Sequence, residues 1–329
     1  MNNPSIFIGP MSRNVVDAVI QYCNDSETLI GLIPSRRQIE YNKGYVNNWT
    51  TREFINYVRE RSSNVILQRD HGGRSQSTTA DHLSSYREDA VCGLDLIHID
   101  PWKRYTDLDE IISETTKDIL LCESVNPNCR YEIGTEEAIH KYDCEEFNYF
   151  LSGVKKSLGK RWSKVRYAVI QSGTAISSTS NVGVFDSQRC REMIGICHNY
   201  GLLSKEHNGD YLSITEIKKR FDLGLDAINI APQFGVAETR QIMKSIQEDY
   251  YLLERIFQLC YDSKKWVKWF PSSFDVSTEE SKKKLIEASC HYIFSLPEFI
   301  QIFDKLKVND TDLISNHINY ISFLHEGIK

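Results

Sequence analysis

The sequence predicts an α/β protein: a (β/α)8 barrel followed by a C-terminal helical extension. Three observations lead there. Short β-branched runs alternate with longer amphipathic runs eight times within the first 245 residues. The strands read as nearly continuous apolar stretches, as expected when both faces of a parallel sheet are covered. No GxGxxG follows the first strand, so a doubly wound nucleotide-binding sheet is the weaker alternative, and eight similar units favour closure.

The units follow in order. SIFIGP near Ile6 precedes a helix from about Asn14, and TLIGLIP near Leu29 precedes one from about Thr51. NVILQRDH leads to a helix around Ala80–Ala90, and LDLIHIDP to one from Asp107 to Cys122. RYEIGTE is followed by a helix near Glu146–Lys155, and VRYAVIQSG by one near Ser187–Asn199. GLLSKEHNGD leads into ITEIKKRF, and DAINIAP into AETRQIMKSIQ. The barrel is therefore expected over residues 1–245. Beyond it, over 246–329, apolar residues recur at helical spacing in EDYYLLERIFQLCYD, KKWVKWF, ESKKKLIEASCHYIF, PEFIQIFDKL and DLISNHINYISFL. Pro271 and Pro297 punctuate these segments. Docking against the barrel is the expected role of the extension, with an oligomer interface as the alternative.

Composition bounds the function. The 329 residues carry a net charge of -6 with both signs well mixed. No basic stripe points to nucleic acid. No apolar run approaches a membrane span, and no signal peptide is evident. Nine cysteines without a CxxC pair read as reduced, mostly structural thiols of a cytoplasmic protein.

Barrel chemistry gathers where strands run into the following loops. The exits here are rich in reactive types. They carry Arg36 and Arg37; Asp70 and His71; His98, Asp100 and Lys103; Glu132 and Glu136. The later exits carry Gln171, Ser172 and Thr174; Lys205, Glu206, His207 and Asp210; and Asn229 and Gln233. Imidazoles and carboxylates converging on one mouth suit a divalent metal, zinc first, with manganese or another divalent ion as alternatives. His71 and His207, at loop starts beside acids and glycines, are the leading ligands. His98 suits a hydrogen-bonded core histidine as well as a ligand. Asp100 is a catalytic candidate that could equally cap a turn. Glu132 could be a further metal ligand or an interior ion-pair partner. Glu136 could open the fifth helix, where acids favour the positive dipole end. Asp70 could move protons beside a metal-binding histidine, or form an Asx turn before Gly72-Gly73. The QSGT loop at 171–174, NGD at 208–210, the QFG turn at 233–235 and the cations Arg36, Arg37, Lys103 and Lys205 are candidates for a phosphate site, and Asn229 for a substrate contact.

The motif series RDHGG, IHIDPWK, YEIGTEEA, IQSGT, KEHNGDYL and INIAP resembles the Z-type subunit family of tagatose-bisphosphate aldolases over roughly residues 5–245. It also looks distantly like the class II aldolases, with Asp-His at the third strand. The resemblance implies a (β/α)8 fold and ketose-phosphate chemistry. Family members are either 4-epimerases of ketohexose phosphates or non-catalytic partners of an aldolase subunit. Carried to matching positions, it makes Asp70 the acid/base, His71 and His207 metal ligands, and Glu136 a third ligand or metal-site carboxylate. The chain departs from the aldolases at strand eight, where Asn229 stands in place of their histidine ligand.

A mechanism follows from chemistry. In a 2-ketose the C4 hydrogen is not acidic, and hydride transfer would need a redox cofactor for which no fingerprint is present. Retro-aldol cleavage between C3 and C4 avoids both. Re-addition to the opposite aldehyde face gives a C4 epimer, and release of the aldehyde gives an aldolase. The expected protein is thus a metal-dependent ketose-phosphate 4-epimerase of the tagatose 6-phosphate/fructose 6-phosphate kind. A class II ketose-bisphosphate aldolase and an accessory aldolase subunit are the alternatives. Its partners would be a phosphorylated ketose and a second copy or an aldolase subunit.

Overall fold

A computed structural model describes residues 3–73, 81–246, 249–271, 273–306 and 308–328. The expected helical residues Ala80, Gln247 and Glu248 lie outside them. Eight strands close a parallel barrel: β1 (Ile6–Ile8), β2 (Ile30–Leu32), β3 (Val65–Gly72), β4 (Leu96–Ile99), β5 (Arg130–Ile133), β6 (Val165–Ile170), β9 (Leu203–Glu206) and β10 (Ala227–Ile230). β1 pairs with β10 and closes the ring. A short antiparallel hairpin, β7 (Ile176–Ser177) and β8 (Ser180–Asn181), follows β6 and was not expected from its polar sequence.

The helices begin where local chemistry starts them. Ser12 caps α1 (Arg13–Ser26), and Thr50 with Glu53 forms a capping box on α2 (Thr51–Arg59). Asp81 caps α3 (His82–Cys92), and Asp107 caps α4 (Leu108–Val125). Asp143 and Glu146 box the start of α5 (Cys144–Leu158), seven residues beyond Glu136-Glu137. Glu136 therefore does not open the fifth helix. α6 (Ser187–Asn199), α7 (Ile214–Asp222) and α8 (Pro232–Ile246) complete the barrel.

Alternation along the strands sorts side chains into barrel layers. Phe7, Gln68, Glu132 and Lys205 come from the odd-numbered positions around the ring. Gln68, Glu132 and Lys205 are mutually hydrogen-bonded, and the Lys205 ammonium lies 3.2 Å from the centre of the Phe7 ring. Phe7 also belongs to an apolar cluster with Leu96, Tyr167 and Ala227. Two residues further along the strands come Asp70, His98, His207 and Asn229 at the C-terminal mouth. Arg69 instead points outward, where it pairs with Asp89 of α3 and reaches the carbonyls of Pro34 and Ile39.

The extension contains α9 (Tyr250–Asp262), α10 (Glu279–Ser289), α11 (Pro297–Phe303) and α12 (Asp310–Gly327). α9, α10 and α11 share an apolar core with Ile242 and Ile246 of α8. α12 lies against α1, α7 and α8. Within the barrel wall, Glu238 of α8 accepts from the hydroxyl of Ser12 and the amide of Asn14, and is met by His317 of α12. The extension is thus packed onto the barrel. No helix among the described residues is long and apolar enough to cross a membrane.

Candidate active site

β3 delivers the site's first two residues through an irregularity. Its register with β4 shifts between Arg69 and Gly72, and His71 takes a positive φ of 44°. Such bulges re-aim side chains beside functional sites. Here consecutive residues Asp70 and His71 face the same mouth. Glycine is required next: a Cβ on Gly72 would stand 2.4 Å from the Tyr86 ring and 2.7 Å from the His98 carbonyl oxygen.

Three imidazoles form a near-equilateral triangle. Ring centres of His71, His98 and His207 lie 5.0, 5.1 and 5.1 Å apart. Each has one nitrogen held from outside. His71 Nδ1 meets Asp100 Oδ2 at 2.7 Å, His98 Nε2 meets the Gly134 carbonyl at 2.9 Å, and His207 Nε2 meets Glu132 Oε1 at 2.7 Å. Such outer partners fix tautomer and ring orientation in metal centres. The remaining nitrogens turn to a common centre with Asp70, whose oxygens lie 3.8 Å from His71 Nε2 and 3.9 Å from the Nδ1 atoms of His98 and His207. The His71 backbone N–H donates to His98 Nδ1 at 3.2 Å, a bond that this nitrogen would give up on holding a metal. Glu136 stands 3.4 Å from His71 Nε2 and 3.8 Å from His207 Nδ1, held by the Asn208 amide.

Electrostatics favour a cation at this centre. Burial alone would lower the His71 pKa, but Asp70 and Glu136 outweigh it and raise it well above the usual histidine range. Burial would raise Asp70 and Glu136, but chiefly the His71 charge holds Asp70 far below the carboxylate range and Glu136 at about 2. Asp70 Oδ1 is buried without a hydrogen-bond partner. An orphaned carboxylate oxygen amid three oriented imidazoles fits a divalent metal, and the N/O donor set suits zinc. Asp70, His71, His98 and His207 are the group that could hold it.

The cluster opens into a cavity of about 260 Å³. Asp70, His71, Glu136 and His207 are on its wall, with Arg36, Lys103, Asp210 and Asn229. Both amide atoms of Asn229 are buried without partners and remain available to a ligand. Asp210 accepts the N–H groups of Ala231 and Gln233, and burial raises its carboxyl to about 7. Arg36 bonds Glu40 at 2.6 Å and the Gly73 carbonyl, so it braces the β3 exit as well as lining the cavity.

Other expected site residues lie elsewhere. Asp100 and Glu132 sit behind the imidazoles as their outer partners, and Asp100 Oδ1 also accepts the Trp102 N–H in a turn. Lys205 does not face the cavity: it lies beneath, 2.7 Å from Glu132, because a buried carboxylate in the barrel layer needs a cation. Gln171 bonds the carbonyls of Thr135 and His140 and accepts from Tyr142 and Arg189. Ser172 gives both its N–H and its hydroxyl to Glu206, itself paired with Arg220. These two polar residues brace the wall rather than line the cavity. The third imidazole is His98 of β4, so a three-histidine set forms although strand eight carries Asn229. Asn208 of the NGD turn lines the cavity, as do Lys268, Trp269 and Tyr292, which the sequence does not single out. The last three come from the extension, and no local motif announces them.

No protein-family model and no curated protein matches the chain. Solved structures do. One is a probable tagatose 6 phosphate kinase from Sinorhizobium meliloti 1021, with TM-score 0.75 and 15% identity over 99% of this chain and 94% of that one. The fructuronate-tagaturonate epimerase UxaE from Cohnella laeviribosi aligns with TM-score 0.64 and 9% identity over 100% of this chain and 82% of that one. The YdjI aldolase from Escherichia coli K12 aligns with TM-score 0.54 and 13% identity over 91% and 93%. The chain shares their barrel fold. The likeness is distant in sequence, and the neighbours accord with the resemblance carried by the motifs.

Proposed function

We propose that the protein is a divalent-metal-dependent enzyme that epimerises C4 of a ketose phosphate by retro-aldol cleavage and re-addition. The observation that carries this reading is the convergence of three oriented imidazoles and an unpartnered Asp70 oxygen on one open cavity. His71, His98 and His207 would hold the cation. Bound there, it would supply Lewis-acid stabilisation to the charge developing on the C1–C3 fragment. Asp70, ionised and half-buried on the cavity wall, accepts the proton of the C4 hydroxyl as the C3–C4 bond breaks. When the turned aldehyde is re-attacked, its oxygen takes up a proton; Asp70 holds that proton from the first step, and Glu136, the second carboxylate on the wall, is placed to pass it on. Asn229 offers an unused donor and acceptor to sugar oxygens. The cavity walls keep the two fragments together for re-addition.

The same parts would serve a class II aldolase if the aldehyde left, and the name of the YdjI neighbour supports that second reading. A non-catalytic aldolase subunit would not require a cluster with each imidazole oriented from behind. Free, mostly buried cysteines fit a reducing cytoplasm.

The test is NMR of the protein with zinc or manganese and tagatose 6-phosphate or fructose 6-phosphate in D₂O. The expected product is the C4 epimer without deuterium at C4. Deuterium at C4 would rule out retro-aldol epimerisation, because the aldehyde carbon keeps its hydrogen. A triose product would make the protein an aldolase.

A further inference from the structure

Glu136 stands at the edge of the imidazole cluster. Its Oε2 lies 3.4 Å from His71 Nε2 and 3.8 Å from His207 Nδ1. Two ligands on one tetrahedral zinc, each about 2.0–2.2 Å from it, are about 3.3–3.6 Å apart. A small turn would therefore bring this oxygen onto a shared cation. Yet Glu136 is outside the group of Asp70, His71, His98 and His207 that converges on one point. A carboxylate committed to a cation has its lone pairs engaged there and no longer serves the substrate.

One contact holds it back. The Asn208 side-chain amide donates to the same Oε2 at 2.9 Å, a charge-assisted bond. Asn208 is itself well fixed. It has a φ of 58°, a left-handed conformation that asparagine adopts more readily than most residues. Its carbonyl accepts from the Asn181 amide at 2.9 Å, and the same amide donates to the Asp210 carbonyl at 3.0 Å. Asn181 belongs to the β7–β8 hairpin, where its side-chain oxygen accepts the N–H groups of Ala175 and Gly183. Between Asn208 and Asp210, the Gly209 N–H donates to the Asn229 carbonyl at 2.9 Å. The Thr174 hydroxyl, just before the hairpin, donates to the His207 carbonyl at 2.9 Å. The hairpin segment thus clamps the turn that carries both His207 and Asn208.

We infer that Asn208 is a positioning residue: its amide holds the Glu136 carboxylate out of the coordination of the metal and leaves it to the substrate, and the hairpin after β6 keeps Asn208 in place to do so. This rests on the metal-dependent reading above and deepens it. It also gives the unexpected hairpin a part in the chemistry.

Cobalt(II) in place of zinc tests the inference, because its visible absorption weakens as further ligands join a tetrahedral ion. Asn208→Gly removes the amide and accommodates the positive φ, so the fold should be kept, as read by Tm and circular dichroism. Asn208→Ser, too short to reach Glu136, is read in parallel. In both, Glu136 should enter the coordination, and cobalt absorption should fall by about twofold or more. Epimerisation should lose about tenfold or more in kcat, with KM near the parent's. Glu136→Gln added to Asn208→Gly should return the cobalt spectrum to that of the parent, which a merely displaced His207 would not allow. Equal spectra for the parent and both Asn208 variants would overturn the inference, and so would a changed spectrum that Glu136→Gln leaves changed. The two readings fail separately. A parent that binds no cobalt removes the metal-dependent reading and the inference with it. A parent that binds cobalt with a spectrum indifferent to Asn208 removes the inference alone. The spectral change and its reversal without epimerisation keep the role of Asn208 at the metal site and remove the reaction.

Discussion

Asp70 and His71 are adjacent in sequence yet both reach the mouth, which an ordinary strand forbids. The bulge in β3 and the positive φ at His71 make it possible. Their roles separate by substitution. Asp70→Asn keeps the shape but removes the base, so turnover should fall by about 10²–10⁴-fold with metal content unchanged by elemental analysis. Loss of metal instead would make Asp70 a ligand. Asp100→Asn acts one shell out, through His71 Nδ1 at 2.7 Å. Metal affinity should drop by about 10–100-fold in chelator competition, with the fold retained by circular dichroism. Asp-His at a strand exit was legible in the sequence. Asp100 behind His71 was not, because the contact joins two strands.

At the scale of the element, Asp210 does for α8 what local caps do for other helices. It accepts the Ala231 and Gln233 N–H groups from 21 and 23 residues away. Burial raises its pKa from 3.8 to about 7. The native state therefore keeps a proton that the unfolded chain releases between those values. Asp210 contributes fully at low pH, and its contribution is lost as pH rises through about 7. Asp210→Asn keeps an acceptor without the charge. Urea unfolding at pH 5 and pH 8 should show the parent losing on the order of a few kcal/mol relative to the variant as pH rises. Equal pH dependence would mean that Asp210 is ionised at no cost. The helices themselves were largely legible: α6 begins and ends at the residues read from the sequence, Ser187 and Asn199.

For the whole molecule, the three imidazoles tie together strands three, four and seven of the ring. A divalent cation held by them should stabilise the global fold by about 2.7 kcal/mol at a hundredfold excess over Kd. Differential scanning calorimetry with and without zinc reads this as a higher Tm. Because His71 holds a proton well above the usual range, metal must displace it. Affinity should therefore rise with pH, by up to tenfold per unit for each proton released. A pH-independent affinity would show that His71 is not a ligand.

The sequence by itself determined the barrel, because apolar periodicity and helix caps are local properties repeated eight times. It also placed Asp70, His71 and His207 at the mouth, since strand exits can be counted. Only the tertiary structure decided which exits meet. It turned His98 inward to complete the triangle that strand eight lacks, set Glu132 and Lys205 as a neutralised pair beneath it, and turned Gln171 and Ser172 to the wall. It also brought Lys268 from the extension to the cavity edge. These are contacts between residues far apart in the chain, and they follow from barrel closure and from charge compensation inside it, neither of which is written in any single segment.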